Sequence, residues 1–322
     1  MQALRVHRFE EPPRLDPLPD PEPAPGEVRV RVRHAGISFF DLLIARGAYQ
    51  WRPALPFVVG SEFSGEIDAL GAGVAGWRIG DRVCGALSIG SWAERVCAPA
   101  AALQPVPAQA ALDEAAVLLT PYGTALYALR ERGALQPGET VLVLGATGGI
   151  GDAGVQTAKA LGARVIAAVS GPAKQDAARA AGADAVVDLR GENWKDAVKD
   201  LAGPRGVDVV LDPVGGEAMD TAFRTLGWGG RHLVVGFAGG SIGSLKANLA
   251  IVKGAALIGV DLRQYRERQP EAMARLLTDV GALHAAGRIR PRIAARYGLA
   301  QAGDAFARAQ DRQTTGRVVL DF

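Results

Sequence analysis

The stretch Val141–Gly151, VLVLGATGGIG, constrains this chain more than any other. Four apolar residues run into a glycine-rich turn, Gly145-Ala146-Thr147-Gly148-Gly149-Ile150-Gly151, and Asp152–Leu161 then reads as a helix through Ala153, Gln156 and Ala160. A buried strand that feeds a glycine turn and opens a helix is the architecture that binds a dinucleotide pyrophosphate. The helix N-terminus offers unpaired N–H groups and the positive end of its dipole, and glycines let the backbone approach the phosphates. The spacing alone is a weak signal, and its surroundings strengthen it. Strand-like Arg164–Val169, Ala185–Asp188, Val207–Leu211, Arg231–Gly236 and Ala256–Val260 alternate with helical Ala173–Ala181, Glu192–Leu201 and Ala218–Leu226. Strands without polar alternation, separated by amphipathic helices, predict a parallel sheet covered on both faces, an α/β doubly wound domain. The rival reading is a generic α/β domain with a glycine-rich surface loop.

The first hundred residues differ. Glu27–Arg33 (EVRVRVR) alternates as a half-buried strand does, and Gly65–Leu70 and Arg82–Leu87 are strand-like between Gly- and Pro-bearing turns. Pro12–Pro25 is extended or irregular, so this half reads as mostly β. Helical patterning over Ala111–Arg132 is expected to break at Pro121-Tyr122-Gly123. Near the C-terminus come a charged helix near Glu271–Ala286, then the segment Arg290–Tyr297, a short helix near Ala300–Ala309 and a final strand Gly316–Leu320. That tail is too short to fold alone and is expected to complete the first domain. The division is then residues 1–121 with 262–322, and 122–261.

At 322 residues the chain is long enough for two cores. The net charge of +2 gives no electrostatic case for nucleic acid. Nothing approaches the ~18 consecutive apolar residues of a membrane span, and MQALRVHRFEEPPRL lacks a signal peptide's apolar centre. A cytoplasmic location, with no membrane or nucleic-acid partner, is the expectation. Two cysteines, Cys84 and Cys97, lie in apolar strand-like stretches and read as small core residues. His7, His34, His232 and His284 are scattered and read as surface or half-buried side chains, so no metal site is expected.

Several phrases together resemble one family. They are PGEVRVRVRHAGISFFDLLIARGAY, Gly60-Ser61-Glu62, GDRV at 80–83, TPYGTALYAL at 120–129 and PGETVLVLGATGGIGDAGVQTAKALGARVIA, then GVDVVLDPVGG and GGRHLVVGFAGG. Nearly end to end the chain resembles the zinc-free NADPH:quinone oxidoreductases (zeta-crystallin-like) of the medium-chain dehydrogenase/reductase superfamily. The resemblance implies a GroES-like β domain joined to a Rossmann domain that binds NADPH, a small-molecule substrate, and a homodimer formed through edge strands near Ala255–Leu262. Zinc-dependent members carry a cysteine near Ser38 and a histidine where this chain has Ser61, and serine hydroxyls replace those ligands poorly.

At the end of Arg164–Val169, about 20 residues past the glycine turn, an NAD-preferring site carries an acid. Here Ser170-Gly171-Pro172-Ala173-Lys174 follows, with no carboxylate to repel a 2′-phosphate and with Lys174 to reach it. Val214, in Asp212-Pro213-Val214-Gly215-Gly216, stands at a strand end where such sheets bind ligands. By resemblance Thr124, Phe237 and Arg312 are cofactor contacts. Ser38, in place of a family asparagine, and Tyr49 face the substrate by the same comparison, while Asp41 orders the loop or caps the helix it begins. Leu43 and Leu189 replace family tyrosines. The expected activity is hydride transfer from NADPH to a quinone. The alternatives are reduction of an activated C=C bond (an enoyl-CoA or α,β-unsaturated carbonyl) and a non-catalytic NADPH-binding redox-sensing or crystallin-like protein.

Overall fold

A computed structural model describes residues 1–322. The chain forms two compact units, Met1–Thr120 with Pro291–Phe322, and Pro121–Arg290.

In the second unit six parallel strands lie in the order Ala185–Asp188, Arg164–Val169, Thr140–Leu144, Val207–Asp212, Leu226–Val234, Ala256–Gly259. This is the doubly wound order of a Rossmann domain, in which the chain reverses direction across the sheet between Thr140–Leu144 and Val207–Asp212. Every residue of Thr140–Leu144 is buried, which explains a strand with no polar alternation. Helix Gly149–Ala160 lies close on the sheet because Gly154 has no side chain; a Cβ there would stand 2.3 Å from Leu211 Cδ2.

Several expectations shift. The helix after the glycine turn starts at Gly149, three residues before Asp152. Ala173–Ala181 divides into a 3₁₀ turn, Pro172–Lys174, and a helix, Gln175–Ala180. Pro121-Tyr122-Gly123 does not break its helix but lies inside Leu119–Leu126, which runs on as a π-helical turn, Tyr127–Arg132. Pro121 sits in the first turn, where its missing N–H removes no helix bond. Residues 262–290, assigned by sequence to the first domain, pack in the second unit. Helix Pro270–Ala285 buries Met273, Leu276, Leu277 and Val280, a Cβ on Gly123 would meet Leu277 at 3.2 Å, and Arg130 bonds Asp279 at 2.9 Å.

The first unit is a GroES-like β fold. A seven-stranded sheet runs Ile293–Gly298, Arg317–Asp321, Glu27–Ile37, Glu62–Leu70, Arg82–Ala86, Leu103–Pro105, with Arg95–Pro99 also on Glu27–Ile37. A second sheet pairs Arg14–Pro17, Gln2–Val6 and Phe57–Val58. The C-terminal strand enters antiparallel to Glu27–Ile37, Val318 facing Ile37. Trp92 fills the core, its Nε1 donating to Gly36 O at 3.1 Å. Its indole occupies the space over Gly60 (φ +103°), where a Cβ would lie 2.1 Å from Cδ1. Burial pushes the Cys84 and Cys97 thiols up to about 12 and about 11, which keeps both un-ionised near neutral pH. No helix is long and apolar enough to cross a membrane.

Candidate functional site

In the second unit the glycine turn is held by its own backbone. Gly145 takes φ +58°, Gly148 N donates to Gly145 O (3.0 Å), Asp152 N to Gly148 O (2.8 Å), and Ala146 N to Ala168 O (3.1 Å). Gly151 is where close approach demands glycine, since a Cβ would stand 2.0 Å from Gly145 O. Ala146 and Thr147 are buried, Gly149 and Ile150 half-buried, and Gly148 exposed. Gly148 caps the helix without a side-chain bond. The first-turn N–H groups are therefore left for an outside acceptor, and with the helix start held against the turn by the close approach of Gly151 to Gly145 this cradle fits a pyrophosphate.

The neighbouring strand ends converge on this turn. Asp212 Oδ1 accepts from Val214 N (2.9 Å) and Gly215 N (2.8 Å), fixing the loop after Val207–Asp212. Val214 thereby covers Gly145, where a Cβ would meet Val214 Cγ2 at 2.8 Å, and Phe237 covers Gly215, with 2.6 Å to Cδ1. Asp212 Oδ2 pairs with His232 Nε2 at 3.0 Å, both side chains wholly buried. His232 thus corrects the surface or half-buried reading; its place inside a strand, directly ahead of Leu233 and Val234, was the available signal.

At the end of Arg164–Val169, Ser170 is exposed and Gly171 adopts φ +108°. Lys174, read as the phosphate contact, is only 8% exposed, and its Nζ donates to Ser170 Oγ at 3.0 Å. Arg190, which the sequence reading passed over, rests its guanidinium against Gly171. Thr124 is buried in helix Leu119–Leu126.

Ser38, Tyr49 and Arg312 belong to the first unit. Ser38 is the N-cap of helix Phe39–Ala45 in a reciprocal capping box. Its Oγ accepts from Asp41 N (3.1 Å) and donates to Asp41 Oδ2 (2.6 Å), while its own N–H donates to the same oxygen (2.7 Å). Asp41 therefore caps from inside the helix, as its position suggested. Tyr49 is half-buried, edge-on to Phe40 with centroids 4.9 Å apart. Arg312 is exposed just beyond helix Ala302–Gln310.

Behind Ser38 lies a buried polar cluster. Arg317 Nη2 donates to Glu62 Oε2 (2.9 Å), Arg317 Nε to Ile37 O (3.3 Å), and Thr120 N to Glu62 Oε1 (2.8 Å). Ser61 Oγ approaches Asp41 but falls short of a hydrogen bond in geometry. Burial pushes Asp41 up to about 6 against the bonds from Ser38 and the charge of Arg317. A zinc ion does not fit this donor set: it offers hydroxyls where thiolate and imidazole would stand, Ser38 Oγ is committed to Asp41, and Glu62 to Arg317.

The Asp41 shift predicts a pH effect. A folded-state carboxyl raised from 3.8 to about 6 contributes stability below pH ~4 that is lost as pH rises through ~6, in total on the order of 3 kcal/mol. Urea unfolding of wild type and Asp41→Asn at pH 5 and pH 7.5 reads it as the difference between the two proteins. Relative to Asp41→Asn, which carries no titrating group there, wild type should be more stable at pH 5 than at pH 7.5. An equal response of both proteins to pH refutes the shift.

The alcohol dehydrogenase GroES-like domain family matches residues 24–108, and the zinc-binding dehydrogenase family matches residues 149–279. Quinone oxidoreductase-like protein 2 of Bos taurus is 40% identical over 292 residues, spanning 90% of this chain and 84% of the relative. A solved mycobacterial protein complexed with NADPH has a TM-score of 0.92 at 32% identity, covering 100% of both chains. CurK enoyl reductase has a TM-score of 0.90 at 25% identity, covering 99% of this chain and 98% of its own. By these likenesses and its two-unit fold, the chain belongs to the medium-chain dehydrogenase/reductase superfamily, alongside its quinone oxidoreductase-like members.

Proposed function

We propose that the chain is an NADPH-dependent, zinc-independent oxidoreductase that passes hydride to a quinone. The observation that carries the reading is the backbone cradle of Gly145–Gly151, with no acid at the end of Arg164–Val169. The similarity to a mycobacterial protein complexed with NADPH supports the cofactor. When bound, NADPH supplies the hydride. The first turn of helix Gly149–Ala160 would hold the pyrophosphate, Ser170 and Lys174 the 2′-phosphate, Thr124 the ribose side, and Val214 with Phe237 the nicotinamide ring.

Ser38 bears on the acceptor. While Asp41 is ionised, Ser38 Oγ directs its proton to Oδ2 and offers an acceptor bound there only a lone pair. A reduced quinone takes its protons from water and needs no acid, whereas C=C reduction requires a proton on the carbon next to the carbonyl. That asymmetry favours a quinone, with Tyr49 as the second substrate-side hydroxyl. Likeness to CurK enoyl reductase supports the second reading, reduction of an activated C=C bond. Stopped-flow NADPH oxidation with a quinone, an enoyl-CoA and an α,β-unsaturated ketone separates the readings. Quinone turnover that survives EDTA is expected. Turnover of the alkenes alone selects the second reading, activity lost to EDTA refutes zinc independence, and tight NADPH binding without any turnover points to a non-catalytic protein.

We also propose a homodimer through the edge strand Ala256–Gly259, which lacks a partner on its outer side. Trp228, Ile251 and Val252 are 91%, 86% and 72% exposed around it, apolar area that a second copy would cover. Light scattering should give twice the 33.5 kDa chain mass, falling to one chain in Leu257→Arg. A monomeric wild type sinks the assignment.

A further inference from the structure

We propose that Arg190 makes the choice between NADPH and NADH, by masking the acid Asp188 and presenting its guanidinium to the 2′-phosphate. The inference rests on the NADPH reading above and deepens it. An acid does stand beside the Ser170–Gly171 turn, but it comes from the neighbouring strand. Asp188 ends Ala185–Asp188, and its Oδ1 accepts from Gly171 N at 2.9 Å. Left alone, that carboxylate would repel a 2′-phosphate and favour a free ribose hydroxyl, as an acid at the end of the second strand does.

Arg190 cancels it. Asp188 Oδ1 also accepts from Arg190 N (3.0 Å) and Nε (3.3 Å), and Oδ2 accepts from Nη2 (3.2 Å). These bonds hold the Asp188 carboxyl below the usual carboxylate range, first through the Arg190 side chain. The guanidinium lies directly on the open face of Gly171: a Cβ there would meet Nη2 at 2.6 Å and Cζ at 2.8 Å. A residue with a side chain at 171 would displace it, and φ +108° already demands glycine.

Exposure divides the work between the two cations. The Arg190 side chain is 60% exposed, and Asp188 engages its Nε and Nη2, which leaves Nη1 for a phosphate oxygen. Lys174 is nearly buried behind Ser170 Oγ and contributes its charge from there. A planar fork that holds a carboxylate on one edge can hold a phosphate on the next, which a lysine's point charge cannot reproduce.

The measurement is the ratio of NADH to NADPH dissociation constants, from nicotinamide fluorescence at one fixed ionic strength, with thermal midpoints recorded for each variant. Wild type should prefer NADPH. Arg190→Ala should lower the ratio roughly 10- to 100-fold at an unchanged midpoint, since it removes a charge-assisted contact and uncovers an anion. Adding Asp188→Asn to Arg190→Ala should restore part of the ratio, because Asn keeps the bond from Gly171 N without the charge, and Arg190→Lys should fall between wild type and Arg190→Ala. A wild-type preference that survives Arg190→Ala within twofold overturns the proposal alone. A wild type that binds NADH as tightly as NADPH overturns the cofactor reading and the proposal with it, and the wild-type ratio by itself tells these two failures apart.

Discussion

Gly151→Ala is expected to disable the second unit's nucleotide turn outright. The new methyl would stand 2.0 Å from the Gly145 carbonyl oxygen and 2.7 Å from its carbon, both backbone atoms of the strand-to-helix turn. Overpacking costs about 1–3 kcal/mol where side chains can yield, and more where backbone is the obstacle. Helix Gly149–Ala160 must then back away from Thr140–Leu144, and its first turn leaves the position that a pyrophosphate would need. The thermal midpoint should fall by ~5 °C or more. A displacement of about 1 Å at such a site can cost roughly 100-fold, so NADPH affinity should fall at least that far. Gly148→Ala is the contrast: its methyl has nothing nearer than 3.5 Å, so the fold should survive. If Gly151→Ala melted and bound like wild type, the close approach of Gly151 to Gly145 would be wrong.

The second large effect is expected at Glu62 and Arg317. Glu62 is 1% exposed and Arg317 8%, and each is the other's charge partner at 2.9 Å. Removing one partner from a buried pair leaves an uncompensated charge, at a cost of about 3–5 kcal/mol. Arg317→Met should therefore unfold at clearly lower urea, with Glu62 left holding only the bond from Thr120 N. It should also push Asp41 further up, because the Arg317 charge is one of the influences holding it down. Glu62→Gln combined with Arg317→Met should cost less than the sum of the two single changes, by about 1–3 kcal/mol. Strict additivity in a double-mutant cycle would mean that the pair does not act as a unit.

Much of this molecule was legible because its signals are local. Arg164–Val169 and Ala185–Asp188 were bounded to the residue: in the first an apolar run suits a strand covered on both faces, and in the second a short β-branched pair between turn residues suits the sheet's edge. The glycine turn, Val214 and Phe237 were read as one neighbourhood, and the sheet order puts them there by joining three adjacent strand ends. What was missed depends on partners distant in sequence. Arg317 meets Glu62 across 255 positions, and nothing near either residue announces the other. Helix Pro270–Ala285 has an apolar face that suits any core; only packing against the helix bearing Gly123 decides which. His232 looked like any scattered histidine until the fold set Asp212, 20 positions away, opposite its ring.

By itself the sequence determined where the backbone must bend and what it must bury. Gly145, Gly151 and Gly171 specify conformations and approaches open to glycine alone, and the periodicities specify which faces turn inward. Those are properties of one residue or one element, written in the residue itself. Tertiary structure alone decided which polar groups distant in sequence pair with which: Arg317 with Glu62, Asp212 with His232, and Asp188 brought beside Gly171 N. A charged or hydroxyl side chain carries the same donors wherever it stands. Which of them remain for a ligand is settled only when folding brings its competitors within bonding distance, because a bond already made inside the protein is withdrawn from everything outside it.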